Sequence, residues 1–172
     1  MKRCLEINNL GTYYAAQLAA RQMARQTAGA GADAGSIVTI ASVSAHRASR
    51  GQYTSDYCMS KGAVLSLTKQ LGVELADQRI RVNTISPGYV PLFTVLFGFL
   101  TSGSYIATDL ALDLVKVRPA LGEVFKGEPA LKRMGDRTDL KAAAVYLLSD
   151  ASAYMTSGEM LITGGLHAGR VH

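Results

Sequence analysis

Residues 36–85 read SIVTIASVSAHRASRGQYTSDYCMSKGAVLSLTKQLGVELADQRIRVNTI, and this stretch decides the fold. Its opening run, SIVTIAS (Ser36 to Ser42), is apolar and β-branched, as a buried strand requires. A polar loop, SVSAHRASRGQYTSD, follows. From Tyr57 onward Val64, Leu67, Leu71 and Leu75 recur at helical spacing, and IRVNTI (Ile80 to Ile85) then reads as a second strand, closed by Ser86, Pro87 and Gly88. Strand, loop, helix and strand in that order make a parallel crossover unit, and open α/β sheets gather their ligands at the carboxyl ends of such strands. Working outward, LGTYYAAQLAARQMAR (Leu10 to Arg25) adds a helix upstream and MLIT (Met160 to Thr163) a short strand downstream. The expected sheet is therefore parallel throughout, with helices on both faces.

Tyr57 and Lys61 lie four residues apart at the start of the predicted helix, which stacks phenol and ammonium on one face. A phenol with a pKa of about 10 is a poor acid or base at neutral pH, and a fixed cation beside it favours the phenolate. Such a pair suits proton transfer. A hydroxyl leaving the end of the buried strand, such as that of Ser42, would hold a carbonyl or alcohol oxygen beside the phenol.

In order along the chain, these residues resemble the short-chain dehydrogenases/reductases, which move hydride between NAD(P) and a carbonyl or alcohol. NNLGTYYAAQ resembles the family's N-x-x-G helix, IASVS its serine strand, and YCMSK its Tyr/Lys motif. RVNTISPG resembles the strand and turn that meet the nicotinamide, and DLKAAAVYLLSDASAYMTSGEMLITGG the last helix and strand. The resemblance runs from Glu6 to Gly165 and implies an α/β fold, the C-terminal part of a Rossmann-like doubly wound parallel sheet. It implies that Tyr57 is the general acid/base, that Lys61 lowers its pKa and binds the nicotinamide ribose, that Ser42 orients the substrate oxygen, and that Asn8 holds a water linking Lys61 to solvent. Ser44, thirteen residues before Tyr57, competes with Ser42 for the serine role. Ser42 is preferred because it occupies the strand-end motif and a loop absorbs two residues. Pro87, Gly88 and Thr108 fall to the cofactor, NAD or NADP, and Ser44 and Tyr89 join Ser42 in binding substrate. The longer serine-to-tyrosine spacing and the string SVSAH point towards polyol and ketose reductases.

Two departures qualify the resemblance. Nothing upstream of Asn8 can make the family's T-G-x-x-x-G-x-G phosphate turn, and AGAGADAG (Ala28 to Gly35) does not follow a strand and open a helix, so the 172-residue chain reads as one truncated domain. The inner sheet edge would then invite pairing with another chain. Second, removing the segment from Val90 to Tyr105 leaves a continuous ISPGYIATDLALDL; residues 90–105 read as an insertion or as a lid. Two functions stay open: an NAD(P)-dependent oxidoreductase of a small ketone, ketose or secondary alcohol, or a catalytically inactive, repurposed scaffold that oligomerises without binding dinucleotide.

The helices at Leu10 and Tyr57 carry small and apolar residues on more than one face, so each must bury more than one side. In the family these two helices form a four-helix bundle with a second subunit, which implies a homodimer or homotetramer through Tyr13 to Met23 and Val64 to Leu75. A net charge of +5 from scattered Lys and Arg makes no basic stripe, so no nucleic-acid partner is expected. The apolar run LFTVLFGFL is far short of the roughly 20 residues needed to span a bilayer, and no membrane attachment is expected. Cys4 and Cys58 suit a reduced, cytoplasmic protein, and no metal-ligand spacing joins them to the histidines. Cys58 reads as a packing residue, His46 as an exposed polar loop residue and His167 as part of a polar tail.

Overall fold

A computed structural model describes residues 1–26, 34–49, 52–90 and 119–169. Thr108, the run LFTVLFGFL, nearly all of the 90–105 segment and most of AGAGADAG lie outside the described residues.

The chain opens in a continuous helix: α1 (Lys2–Leu5), a widened π turn (Glu6–Gly11) and α2 (Thr12–Gln26). It thus starts well before Leu10. Strand β1 (Gly35–Ile40) follows, then α3 (Ser55–Glu74), beginning two residues before Tyr57. Strand β2 (Ile80–Pro87) runs past Ile85 to the proline; α4 (Pro119–Gly127), α5 (Arg137–Leu148) and β3 (Glu159–Ile162) complete the order. The sheet has the order β1-β2-β3 and both ladders are parallel.

β2 decides the layering because it is buried along its whole length. Ile80 and Val82 pack with Ala20, Met23, Ile37 and Leu71 on one face, beneath α2 and α3. Ile85 packs with Val38, Ala143, Leu147 and Met160 on the other, against α5. At about 1.5–3 kcal/mol for each large apolar side chain removed from water, these two clusters fix the sandwich. The polar residues of the same strand are buried because each finds partners. Arg81 donates to the carbonyls of Leu147 (3.2 Å) and Ser149 (3.1 Å) and to Ser152 Oγ (2.8 Å), closing the carboxyl end of α5. Asn83 donates to the carbonyl of Met155 (2.7 Å) and accepts from the amide of Gly158 (2.9 Å), which steers the chain into β3.

Helix α5 starts where Asp136 accepts from the Thr138 amide and Asp139 reaches back to the Asp136 amide, a reciprocal cap. After α3 a short 3-10 turn (Ala76–Gln78) ends at Arg79, whose φ of 56° turns the chain sharply into β2. Within the single chain, Tyr13, Tyr14 and Leu18 of α2 and Val73 of α3 remain exposed, so the second apolar side expected of these helices is left uncovered. A groove of about 540 Å³ between these two helices is lined by Tyr13, Ala16, Ala20, Arg21, Leu71 and Glu74.

Candidate active site

The carboxyl ends of β1 and β2 and the first turns of α3 converge. Ser42 leaves β1 with extended backbone and caps a short turn (Val43–Ala45), its Oγ accepting from the Ser44 amide at 3.1 Å. That side chain is nearly buried, and its hydroxyl lies close enough to the phenol of Tyr57 to favour the phenolate. Ser44 supplies the main-chain amide that orients Ser42. Of the two candidate serines, Ser42 is the one whose side chain acts on the Tyr57 phenol.

Lys61 lies one turn further along α3, 6% exposed, with Nζ 5.7 Å from the centre of the Tyr57 ring and donating to the carbonyl of Ile40 at 2.9 Å. Burial lowers its pKa to about 8, opposed by the charge of Cys4. Burial also pushes the Tyr57 phenol above its ordinary value, partly offset by the Ser42 hydrogen bond, with Cys4 and Cys58 pushing it further up. The sequence led to the opposite direction, a phenol drawn down by Lys61. The ring is desolvated, and the ammonium is turned towards Ile40.

Asn8 sits in the widened turn before α2. Its Nδ2 donates to Ser60 Oγ at 3.1 Å and to Cys4 Sγ at 3.4 Å, while Asn9 donates to the Ser60 carbonyl at 2.8 Å. The wider turn lets two successive asparagines address one residue of α3. Ser60 was missed as a site residue although it lies inside YCMSK; it is wholly buried and adjoins Lys61 in the chain. The direct partners of Asn8 are thus Ser60 and Cys4.

Pro87 and Gly88 stand at the end of β2, where the Gly88 amide donates to Ile162 at 2.9 Å. A Cβ on Gly88 would come within 2.8 Å of Thr163 Cα, so the two strand ends close only around a glycine. Tyr89 follows. Its hydroxyl receives Gln52 Nε2 at 3.0 Å and lies 3.3 Å from Ser49 Oγ, donates to Glu128 at 3.1 Å, and its ring meets Phe125 at 4.5 Å. Arg47 pairs with the same carboxylate at 3.3 Å. Burial raises the Tyr89 pKa. Tyr89 therefore ties the loop between Ser42 and Tyr57 to the end of α4, a link between distant segments that no local motif signals.

His46 is an exposed loop residue, as the sequence suggests, but it has a partner: Nε2 lies 2.7 Å from Glu159 Oε1, and that oxygen also receives Ser86 Oγ. His167 likewise pairs with Thr163 at 2.6 Å. Among the described residues no cluster of His, Cys, Asp or Glu is arranged to hold a metal ion, and no helix is long and apolar enough to cross a membrane.

A family model described as enoyl-(acyl carrier protein) reductase matches residues 1–94, more than half of the chain. Galactitol 2-dehydrogenase (L-tagatose-forming) of Cereibacter sphaeroides is 32% identical over 164 residues, which cover 95% of this chain and 56% of that protein. L-rhamnose 1-dehydrogenase (NAD(P)(+)) of Sphingomonas sp. (strain SKA58) is 32% identical over 167 residues, 97% of this chain and 56% of its own. Among solved structures, a short-chain type dehydrogenase/reductase from Mycobacterium marinum superposes with a TM-score of 0.76 at 36% identity, over 96% of this chain and 55% of that one. The chain belongs to the short-chain dehydrogenase/reductase family. It spans about half the length of the relatives it matches.

Proposed function

We propose that this chain carries the proton-transfer centre of an NAD(P)-dependent oxidoreductase acting on a small polyhydroxylated ketone, ketose or secondary alcohol. The observation that carries the reading is the meeting of Ser42, Tyr57 and Lys61 in one buried space, with the Ser42 hydroxyl facing the phenol and Lys61 beneath the ring. Ser42 Oγ holds the substrate oxygen and Tyr57 Oη gives or takes its proton. The charged Lys61 stabilises the phenolate that results.

The dinucleotide supplies or accepts the hydride when bound. The residues present fit its nicotinamide end: an ammonium has three donors, and Lys61 uses one, on Ile40, leaving others for ribose hydroxyls. Pro87 and Gly88 stand at the same strand end, and Thr108 is assigned to the carboxamide or phosphate. Residues for the pyrophosphate are not identified among the described residues. The polyol reading is supported by relatives named for galactitol and L-rhamnose. Ser44 and Tyr89 join Ser42 as substrate-side residues, and residues 90–105 stay read as a lid or an insertion.

A homodimer or homotetramer through Tyr13 to Met23 and Val64 to Leu75 accompanies this reading, supported by the exposed Tyr13, Tyr14, Leu18 and Val73 along the α2–α3 groove. A stable monomer by size exclusion with light scattering would count against it. The free Cys4 and Cys58 suit a cytoplasmic location.

A second reading, a repurposed scaffold that binds no dinucleotide, draws support from the Lys61 ammonium turned to Ile40 and from the raised phenol. Titrating NADH and NADPH against the purified chain by fluorescence or calorimetry separates the two. Micromolar binding supports the oxidoreductase; no binding supports the scaffold.

A further inference from the structure

Just after β1 the chain makes a short turn (Val43–Ala45), and its two ends are held in different ways. At the near end the Ala41 amide donates to the Ile85 carbonyl at 2.9 Å, so main chain fixes the exit from the sheet. The turn then runs through Val43–Ala45, and the amides of His46 and Arg47 both close on the Val43 carbonyl at 3.0 Å. At the far end the anchor is a side chain: the His46 ring meets Glu159 Oε1, which also takes the hydroxyl of the wholly buried Ser86. Ser42 caps this turn, and its hydroxyl faces the Tyr57 phenol.

We propose that His46 and Glu159 are positioning residues for Ser42, holding the far end of its turn so that the hydroxyl stays aimed at Tyr57. The proposal rests on the reading of Ser42 and Tyr57 as the reacting pair. Glu159, the first residue of β3, pairs in register with Thr84 of β2, and its carboxylate is only 15% exposed. A carboxylate in such a place loses hydration and is retained only with partners. Well-packed apolar residues commonly replace such groups at no loss of stability, so stability alone gives little reason for an acid here. What the acid does is join three strand ends: β2 through Ser86, β3 through its own backbone, and the turn after β1 through His46. With that link absent, the turn keeps its hold at Ala41 and the Arg47–Glu128 pair beyond it, but loses its tie to β2 and β3.

The test reads Tyr57 in the full chain without cofactor or substrate, as the phenolate absorbance titration of the protein minus that of Tyr57→Phe. Cys4, Cys58 and Lys61 also act on this phenol and are kept constant throughout. Because the Ser42 hydrogen bond lowers the Tyr57 pKa, Ser42→Ala is expected to move the midpoint up. His46→Ala is expected to move it in the same direction, and the double variant no further than Ser42→Ala alone. His46→Gln, which keeps a donor, and Glu159→Gln, which keeps an acceptor, are expected to stay at the parent midpoint. Glu159→Leu removes the link without leaving a charge and is expected to behave as His46→Ala, which serves if the alanine variant does not fold. The proposal is overturned if His46→Ala and Glu159→Leu leave the midpoint unchanged while Ser42→Ala moves it, if the shifts add, or if Ser42→Ala moves nothing. Because no dinucleotide takes part, failure of the oxidoreductase reading shows in the cofactor titration and not here.

Discussion

The Lys61 ammonium lies 5.7 Å from the centre of the Tyr57 ring and gives a hydrogen bond to the Ile40 carbonyl, so cation and phenol share one desolvated space at the end of β1. Burial acts on them in opposite senses, lowering the base to about 8 and raising the acid. The resting site therefore holds a protonated phenol over a cation that is easily neutralised.

This arrangement makes stability depend on pH. Below pH 8 Lys61 is protonated in both states, and its buried charge opposes folding in full. Between about 8 and the ordinary 10.5 the unfolded chain binds a proton that the folded one has released, so stability rises with pH, by on the order of 3 kcal/mol in total. Above about 10 the raised phenol of Tyr57 acts the other way, because the unfolded chain ionises first. Urea unfolding at pH 7 and 9.5 should show the rise, and Lys61→Met should remove most of it. A flat profile in the parent protein would contradict the burial of Lys61.

The two serines separate in turnover. The Ser42 hydroxyl acts on the Tyr57 phenol, whereas Ser44 contributes its main-chain amide to Ser42. Ser42→Ala should lower kcat/KM by about 100-fold, the scale for one donor removed from a developing oxyanion. Ser44→Ala should change it only a few-fold. Steady-state kinetics with the same polyol for both variants checks this, and the reverse order would move the serine role to Ser44.

Arg81 joins the central strand to the carboxyl end of α5 through Leu147, Ser149 and Ser152 while only 8% exposed. Removing its guanidinium takes away three charge-assisted hydrogen bonds, although Ser36 and Ser152 still donate to the Leu147 carbonyl and Ser152 to that of Ser149. Arg81→Ala should cost about 3 kcal/mol in chemical denaturation, and Arg81→Lys, which cannot span the same carbonyls, a large part of that. A loss near zero would mean that water replaces the guanidinium.

Gly88 is tested by one methyl group. Its added Cβ meets Thr163 Cα at 2.8 Å and the Thr163 carbonyl oxygen at 3.0 Å, both main chain, so β2 and β3 must part at the site. Gly88→Ala should lower stability by about 2 kcal/mol and weaken cofactor binding at the same time. Thermal melts and a cofactor titration on one preparation read both effects.

Much of this was legible in the sequence because it is local. The β-branched IRVNTI and the four-residue step from Tyr57 to Lys61 gave a strand, a helix and a shared face, and pairing merely extended β2 to Pro87 and shifted β3 to Glu159–Ile162. The helix before Leu10 was not legible, since KRCLEINN offers no apolar period and its hold on α3 comes through Asn8, Asn9 and Ser60. The direction of the Tyr57 pKa was not legible either, because spacing supplies the cation but only packing sets the desolvation. His46 and Glu159 lie 113 positions apart, and only the β3 register brings them together.

The central claim is that Tyr57 is the acid/base of a hydride-transfer site. It is tested most directly by following NAD⁺ and NADP⁺ reduction by galactitol and L-rhamnose with the chain and with Tyr57→Phe, whose fold is checked by circular dichroism. The expected result is cofactor-dependent turnover in the parent chain and a loss of at least about 100-fold in the folded Phe variant. Turnover that survives the substitution, or no turnover from a parent chain shown to bind the cofactor, would contradict it.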